Sequence, residues 1–228
     1  QSLKVTSYYV LIAVPLKISF ALVIAIILNQ NIKGINLFRT LYYIPSILGG
    51  SVAISVLWKY LFMNQGVVNN LIGIFGIKAV DWLGDPRYAL GTISLVTVWQ
   101  FGSSMRLFLA GLKQIPVSQY EAARIDGAGR MRIFWKITIP ELSPIILFNL
   151  IMQTINAFQD FTSAFVITQG GPLKSTYLYG LMLYDQGFKF FKMGYSSALS
   201  WILFAIILFF TSLTFRSSES WVHYGDSL

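Results

Sequence analysis

Residues 118–140 read SQYEAARIDGAGRMRIFWKITIP, and the interpretation of the whole chain starts from this polar stretch. Ser118 and Glu121 have the spacing of a capping box, in which a hydroxyl and a carboxylate satisfy unpaired backbone N–H groups at a helix start. The sequence therefore predicts a short helix that begins directly after Ser118. Gly127 and Gly129 predict its end, because glycine adopts the left-handed conformation without steric cost.

The composition around this stretch is that of a membrane protein. Of 228 residues, 55% are hydrophobic and 11% are charged, whereas about 25% of residues are charged in typical soluble domains. The net charge of +8 fits contact with anionic lipid headgroups. Because the basic residues are scattered rather than arrayed on one face, no nucleic-acid partner is expected. The chain has no cysteine, which excludes disulfides and thiolate metal sites.

Five apolar segments are long enough to cross a bilayer, which needs about 20 residues per helix. They predict transmembrane helices at 7–29, 41–63, 89–112, 143–167 and 193–215. In the second segment, Pro45 and Gly49-Gly50 predict a bent or partly unwound helix, which is tolerated only where protein or water satisfies the backbone. With no internal repeat, residues 1–228 are expected to form a single all-α transmembrane domain.

The polar stretch resembles a known motif. The segment EAARIDGA at 121–128, followed by Ile139 and Pro140, resembles the EAA loop of ATP-binding-cassette (ABC) importer permeases, in the form found in carbohydrate-uptake, maltose-type permeases. The resemblance implies a cytoplasmic coupling helix within a loop at 113–141, seated in a cleft of a separate ATPase subunit. The residues that it assigns to coupling are Glu121, Ala122, Ala123, Asp126, Gly127 and Ala128.

This resemblance covers nearly the whole chain and implies the rest of an importer. The family core has six helices, so the first one is expected to be missing before Gln1. The implied partners are a second permease subunit, an ATP-binding cassette ATPase dimer that holds ATP and Mg²⁺, and an extracytoplasmic solute-binding protein. No cofactor is expected in this chain, and the expected location is a bacterial plasma (inner) membrane. The positive-inside rule gives only weak support to a cytoplasmic polar stretch, so the orientation follows mainly from the resemblance.

The fourth predicted span carries a polar stripe. Asn149, Gln153, Asn156, Asp160 and Ser163 follow one another at spacings of 4, 3, 4 and 3 residues, which confines them to an arc of about 80° on a helix. In one interpretation the amides bond to neighbouring helices, at about 0.6–2 kcal/mol each. In the other, the stripe is a hydrophilic wall that offers hydrogen-bond partners to the hydroxyl groups of a sugar.

The third predicted span supplies a possible opposite wall. Residues 97–105 resemble a substrate-contacting segment of maltose-type permeases and mix aromatic rings with small hydrogen-bonding groups, which suits a sugar. The resemblance assigns substrate contact to Thr97, Gln100, Phe101, Ser104, Gln153, Asn156 and Asp160. Ser104 stands where the maltose permease has an aromatic residue, so the substrate itself is open. Phe101 equally suits helix packing or contact with lipid.

Three charged residues lie well inside the predicted spans, where each costs about 2.5–3.5 kcal/mol on insertion scales. Lys17 and Asp160 have matching estimated depths and are expected to pair or to share an aqueous cavity. Arg106 lies about 13 Å deeper than Asp160 and is expected to extend towards the cytoplasmic headgroups.

Together these features predict a permease subunit that forms the translocation pathway for a carbohydrate and works by alternating access. Among carbohydrates, an oligosaccharide is the favoured substrate. An importer for a non-sugar solute such as a polyol phosphate shares every motif and stays open. An intramembrane enzyme that uses Asp160 is disfavoured, because Lys17 is the one second group at the same depth. Residues 170–176 lack the glycine that precedes the lysine of a P-loop, so ATP is expected to be hydrolysed on another subunit.

Overall fold

The computed structural model describes residues 1–30 and 33–223, which form helices and connecting turns without a β-strand. The helices are α1 (Ser2–Leu28), α2 (Ile35–Leu48), α3 (Val52–Leu61), α4 (Val67–Ile74), α5 (Pro86–Trp99), α6 (Gly102–Gln114), α7 (Val117–Ile125), α8 (Arg130–Ile133), α9 (Ile139–Phe158), α10 (Tyr179–Tyr184) and α11 (Met193–Ser218). Three π-helical turns occupy Phe134–Thr138, Ala164–Thr168 and Asp185–Lys189.

Among the described residues, three helical stretches are long and apolar enough to cross a membrane. They are α1, the continuous stretch Arg130–Phe158 that joins α8 to α9, and α11. The pair α2 and α3 meets the same criteria together but is bent by 103°. The break expected at Gly49-Gly50 is therefore confirmed, and it is a sharp one. Residues 1–30 and 33–223 contain three or four candidate spans by length and composition, so the five-span arrangement stays a prediction.

The segment expected as a continuous third span is broken in the middle. Helix α5 ends at Trp99 and α6 begins at Gly102, so a helix running without interruption through 89–112 was a wrong prediction. The side chain of Ser46, in α2, forms hydrogen bonds with backbone groups on both sides of the break. Its hydroxyl donates to the carbonyl of Gln100 at 3.0 Å and accepts the N–H of Ser103 at 3.0 Å. This partner comes from a distant part of the chain, and local sequence does not reveal it.

The fourth predicted span also ends early. Helix α9 stops at Phe158 rather than near residue 167, and residues 159–163 lead into the π-helical turn at Ala164–Thr168. The carboxylate of Asp160 accepts the N–H of Ser163 at 3.4 Å. Short polar side chains that bond to the backbone in this way compete with helix formation. Because the segment is mostly apolar, this helix end was not predicted from the sequence.

Helix α1 lies at the centre of the fold. One of its faces consists of buried residues that recur every four positions, namely Tyr9, Ala13, Lys17, Ala21 and Ala25. This face packs against α5, α6 and α9. Small residues at helix interfaces allow the backbones to approach closely, which is how membrane helices gain packing energy.

Two connectors, between the second and third and between the fourth and fifth predicted spans, also contain helices. The first contains α4 and the second contains α10. Helix α10 is tied to two other helices, because Thr6 of α1 accepts the N–H of Tyr179 at 2.8 Å and the Tyr179 hydroxyl donates to the carbonyl of Leu199 at 3.0 Å. Each such bond contributes about 0.5–1.5 kcal/mol net.

The contact between α2 and α6 generates a stability prediction. A Cβ atom on Gly102 would lie 2.7 Å from the carbonyl oxygen of Tyr42 and 2.9 Å from the Cα of Tyr43. Backbone atoms cannot turn aside as a side chain can, so we expect Gly102→Ala to lower the free energy of unfolding by about 1–3 kcal/mol. Thermal unfolding of the purified chain in detergent measures this.

Gly91→Ala is the matched control, because a Cβ on Gly91, inside α5, meets nothing within 4 Å. There the substitution should stabilise the helix by about 0.5–1 kcal/mol. Equal unfolding temperatures for the two variants would contradict the close approach of α2 to α6.

Candidate functional site

A polar cavity of about 190 Å³ lies where the three helix breaks converge. Gly50 contributes from the break between α2 and α3, Gln100 from the break between α5 and α6, and Asp160 from the break after α9. The complete lining is Tyr9, Lys17, Gly50, Ser55, Val96, Thr97, Gln100, Gln153, Asn156, Ala157, Asp160, Thr162 and Ser163. Irregular backbone is tolerated at membrane depth where it lines such a cavity.

The structure brings five of the seven predicted substrate-contacting residues to this cavity. They are Thr97, Gln100, Gln153, Asn156 and Asp160. Phe101 instead is 3% exposed and packs edge to face on Phe20, with 4.8 Å between ring centres. Ser104 is fully buried in α6 and lies outside the lining. The break at Gln100 turns both residues into the helix packing.

The polar stripe predicted on the fourth span divides between two environments. Asn149 is buried, and its amide nitrogen donates within α9 to the carbonyl of Ile145 at 3.0 Å. The two amides that follow it along α9 line the cavity. Asp160 and Ser163 lie beyond the end of the helix, so one continuous helical stripe was a wrong prediction, although both residues still reach the cavity.

Asp160 is the hub of the hydrogen bonds in this site. Its carboxylate accepts the hydroxyl groups of Tyr9 and Ser163 as well as the N–H of Ser163. The Tyr9 hydroxyl also lies 2.6 Å from the Thr97 hydroxyl. Hydrogen bonds to a charged group contribute about 1.5–3 kcal/mol each. The carboxylate therefore joins α1 to the break after α9, and the Tyr9 hydroxyl extends the network to α5.

Tyr9 is the fully buried site residue that sequence reasoning missed, beside Ser55 and Thr162 in the cavity lining. Its side chain is fully buried, so its hydroxyl requires a partner. A signal was present, because Tyr9, Ala13 and Lys17 follow one another at four-residue spacing and therefore share one face of α1. A tyrosine on the same face as a buried lysine indicates a polar interior.

Lys17 and Asp160 share this cavity but do not form the expected ion pair. Lys17 is 7% exposed. Among the residues that the structure describes, the one ion pair within 4.0 Å joins Arg87 and Asp85, far along the chain. Of the two expected arrangements, a direct pair or a shared cavity, the structure shows the shared cavity. The cavity thus offers one ammonium, one carboxylate, three amides and several hydroxyls.

The stretch that resembles the EAA loop folds into α7 with a different start from the predicted one. The helix begins at Val117 with Pro116 as its N-cap, and no side chain caps it. The capping box of Ser118 and Glu121 was therefore a wrong prediction. No residue of the helix is buried, so water satisfies the N–H groups of its first turn without help from the serine.

The end of α7 follows the prediction. Gly127 has a φ of +75°, and its N–H donates to the carbonyl of Arg124 at 3.0 Å. The N–H of Ala128 donates to the carbonyl of Ala123 at 2.9 Å. This pair of bonds is a Schellman motif, and glycine suits its left-handed position.

Helix α7 projects from the body of the protein. None of its residues is buried, and Ile125 at its end is 86% exposed. Two side-chain bonds attach it to the start of α9: Gln119 donates to Glu141 at 3.1 Å, and the Tyr120 hydroxyl lies 3.3 Å from that of Thr138. Glu121, Ala122, Asp126 and Gly127 are exposed, and Ala123 and Ala128 are partly so.

The cavity predicts which positions water can reach. The chain has no native cysteine, so any labelling by a thiol reagent comes from the single cysteine that is introduced. We expect Asn156→Cys and Gln100→Cys to react with a water-soluble maleimide in the membrane-embedded protein. Ser104→Cys, an almost isosteric change at a fully buried site, is the control and should react far more slowly. Equal labelling at all three positions would contradict the cavity as described.

The hydrogen bonds of Asp160 predict a pattern of energetic coupling. Removing two members of one network gives non-additive losses, with coupling of about 0.5–3 kcal/mol. We therefore expect Tyr9→Phe and Asp160→Asn to be coupled, and more strongly so than Lys17→Gln and Asp160→Asn. Unfolding in detergent of the single and double variants measures both couplings. A larger coupling for the lysine pair would show that a direct charge pair holds the site.

Comparison with known proteins identifies the family. The family described as "Binding-protein-dependent transport system inner membrane component" matches residues 7–219. The probable ABC transporter permease protein YesP of Bacillus subtilis (strain 168) is 53% identical over 227 residues, which make up 98% of this chain and 74% of that protein.

Other relatives differ in the solute that they are named for. The lactose transport system permease protein LacF of Rhizobium radiobacter is 36% identical over 227 residues, covering 96% of this chain and 76% of that protein. The sn-glycerol-3-phosphate transport system permease protein UgpA of Brucella abortus biovar 1 (strain 9-941) is 37% identical over 228 residues, covering 99% and 77%.

Among solved structures, a bacterial ABC transporter involved in the import of the acidic polysaccharide alginate contains a chain that superimposes with a TM-score of 0.79 at 21% identity. The match covers 96% of this chain and 77% of that chain, and at this identity it shows a shared fold. The chain therefore belongs to the family of inner membrane components of binding-protein-dependent transport systems.

Proposed function

We propose that this chain lines the pathway of an ATP-driven importer for a carbohydrate, and that it works by alternating access. The observation that carries the proposal is the cavity at the three helix breaks. Its amides, from Gln100, Gln153 and Asn156, both donate and accept hydrogen bonds, as the hydroxyl groups of a sugar do. Lys17 and Asp160 balance one another in charge, which suits a neutral solute. The lactose permease among the relatives supports the same class.

The size of the cavity supports a partner subunit. At about 190 Å³ it is smaller than the pockets of about 300–1,000 Å³ that hold ordinary ligands. Helix α2 has no buried residue in the isolated chain, although it borders the break that contributes Gly50. We propose that a second permease subunit packs on this side and completes a site large enough for an oligosaccharide.

We propose five membrane crossings, with α2–α3 and α5–α6 each crossing as a broken pair. Helices α5 and α6 contain 14 and 13 residues, and at about 1.5 Å per residue they reach about 40 Å together. A hydrocarbon core is about 30 Å thick. In this arrangement α7 faces the cytoplasm, and the connector that contains α4 faces the solute-binding protein.

We propose that α7 couples the pathway to an ATPase subunit. The helix is exposed, ends in a bulky apolar side chain at Ile125, and is bonded to the start of α9. The continuous helical stretch Arg130–Phe158 then leads from α7 to the break at Asp160. A displacement of α7 by the ATPase would therefore move the wall of the cavity directly. ATP and Mg²⁺ would be bound by the ATPase dimer.

A phosphorylated polyol is the second candidate solute, and the glycerol-3-phosphate permease among the relatives supports it. Lys17 would supply one positive charge, but the Asp160 carboxylate in the same cavity would repel a phosphate group. An intramembrane enzyme is set aside, because the related proteins are transport subunits.

Uptake into proteoliposomes that contain the complete importer decides between the two solutes. We expect neutral oligosaccharides to be imported and to slow the labelling of Asn156→Cys, since a bound sugar would cover that position. Sugars that are not neutral oligosaccharides serve as controls and should be neither imported nor protective. Import of glycerol 3-phosphate with no sugar uptake would overturn the carbohydrate assignment.

The coupling proposal predicts the effect of a charge reversal on α7. Glu121→Lys should lower uptake by at least about tenfold, the effect of 1.4 kcal/mol, because an exposed contact with the ATPase is reversed. ATP hydrolysis should continue, since the ATPase site is elsewhere. Glu219→Lys makes the same charge change at an exposed position after α11 and should leave uptake unchanged. Normal uptake by Glu121→Lys would count against α7 as the coupling element.

A further inference from the structure

A second opening, here named the basic cleft, lies where α1 ends, α2 begins and α6 leads into α7. Its volume is about 800 Å³. Its basic lining residues are Lys33, Arg39, Lys113 and Arg124. None of the described lining residues is acidic, and none of these four side chains forms an ion pair within 4.0 Å with a described acidic residue. Four positive charges therefore face one opening, with no carboxylate among the described residues that line it.

Arg39 is held in place at the rim of the basic cleft. Its Nε and Nη2 donate to the carbonyl of Leu28 at 3.2 and 2.7 Å, and its Nη1 donates to the side chain of Asn36 at 2.9 Å. A guanidinium has five N–H donors, so two remain for another acceptor. A planar guanidinium that the protein already orients is well suited to phosphate oxygens.

The basic cleft continues into an apolar groove. This groove has a volume of about 430 Å³ and shares Arg39 and Lys113 with the cleft. Its apolar lining residues are Met105, Leu109 and Ala110. Arg106 and Lys113 lie seven residues apart on α6, so they share one face at about 10 Å separation. The Arg106 guanidinium lies 4.4 Å from the ring centre of Tyr43, a cation–π contact that accommodates this charge beside apolar surface.

We propose that the basic cleft binds the phosphate headgroup of an anionic phospholipid, whose acyl chain lies along the apolar groove between α2 and α6. Helix α1 has the length of a membrane span, so its end at Leu28 places the cleft at the level of the headgroups. A phospholipid is the ligand that combines a phosphate with an apolar chain at this depth. A soluble anion or an acidic protein surface would leave the groove unused. The site is independent of the solute that the importer carries.

Native mass spectrometry of the complete importer in a neutral detergent tests the proposal. The probes are phosphatidylglycerol and phosphatidylcholine with identical acyl chains. We expect the wild type to retain phosphatidylglycerol in preference to phosphatidylcholine. Lys113→Gln with Arg124→Gln should weaken that binding by about 30-fold, since each basic residue near a lipid surface contributes about 1 kcal/mol. These two positions leave the structural bonds of Arg39 intact.

Two further variants control for charge and for folding. Arg130→Gln with Arg132→Gln removes the same net charge from exposed positions outside the cleft and should retain the lipid. Lys113→Arg with Arg124→Lys keeps both charges and should bind nearly as the wild type does. The site is supported if both control variants retain phosphatidylglycerol while Lys113→Gln with Arg124→Gln loses it.

Four results would overturn the proposal. The first is equal retention of the two lipids, and the second is unchanged retention by the glutamine variant of the cleft. The third is displacement of phosphatidylglycerol by an equal concentration of glycerol 1-phosphate, which would show a site for soluble anions. The fourth is loss of the ATPase subunits from the glutamine variant while lipid retention is unchanged, which would assign the cleft to an acidic protein surface.

Discussion

The carboxylate of Asp160 provides the interaction on which the interior of this protein depends. A helix that ends within a membrane leaves backbone groups unpaired, and each such group costs several kcal/mol in hydrocarbon. Where the chain becomes helical again after α9, Asp160 satisfies one such group by accepting the Ser163 N–H. It also accepts the Ser163 hydroxyl, and it reaches α1 through the buried hydroxyl of Tyr9. The break, the cavity and the packing of α1 therefore require one another.

The break between α5 and α6 is likewise satisfied by a side chain from another helix. Ser46 satisfies this break, which places Gln100 in the cavity lining. The 29 residues of Arg130–Phe158 form about 43 Å of helix at 1.5 Å per residue. Helix α7 is bonded to this stretch at Thr138 and Glu141, about a third of the way along, and Asp160 follows its other end by two residues. In the proposed importer, this continuous helical stretch would transmit movement between an ATPase and the cavity.

Sequence reasoning succeeded where the signal is local. The glycines at 49–50 indicated the bend, Gly127 indicated the end of α7, and the EAA-like segment indicated the family. It failed where a distant residue decides the outcome. Nothing near Gln100 reveals that Ser46 will bond to the backbone at a break there. Ser104 was therefore expected to contact a solute, and for Phe101 solute contact stood beside helix packing or contact with lipid. Matching depths were enough to predict that Lys17 and Asp160 pair or share a cavity, and the structure shows the shared cavity. Depth alone did not reveal that the hydroxyl of Tyr9 bonds to Asp160.

Hydrogen–deuterium exchange of the complete importer in lipid nanodiscs tests most directly whether a water-lined helix break forms the centre of this protein. Peptides that cover residues 159–163 should exchange within seconds, although they lie between apolar helices, and a transported sugar should slow that exchange. Peptides from 145–155, within the continuous part of α9, should stay protected for hours. Equal and lasting protection of both segments would contradict the account, because it would mean that the helix continues past Phe158 and that no water reaches Asp160.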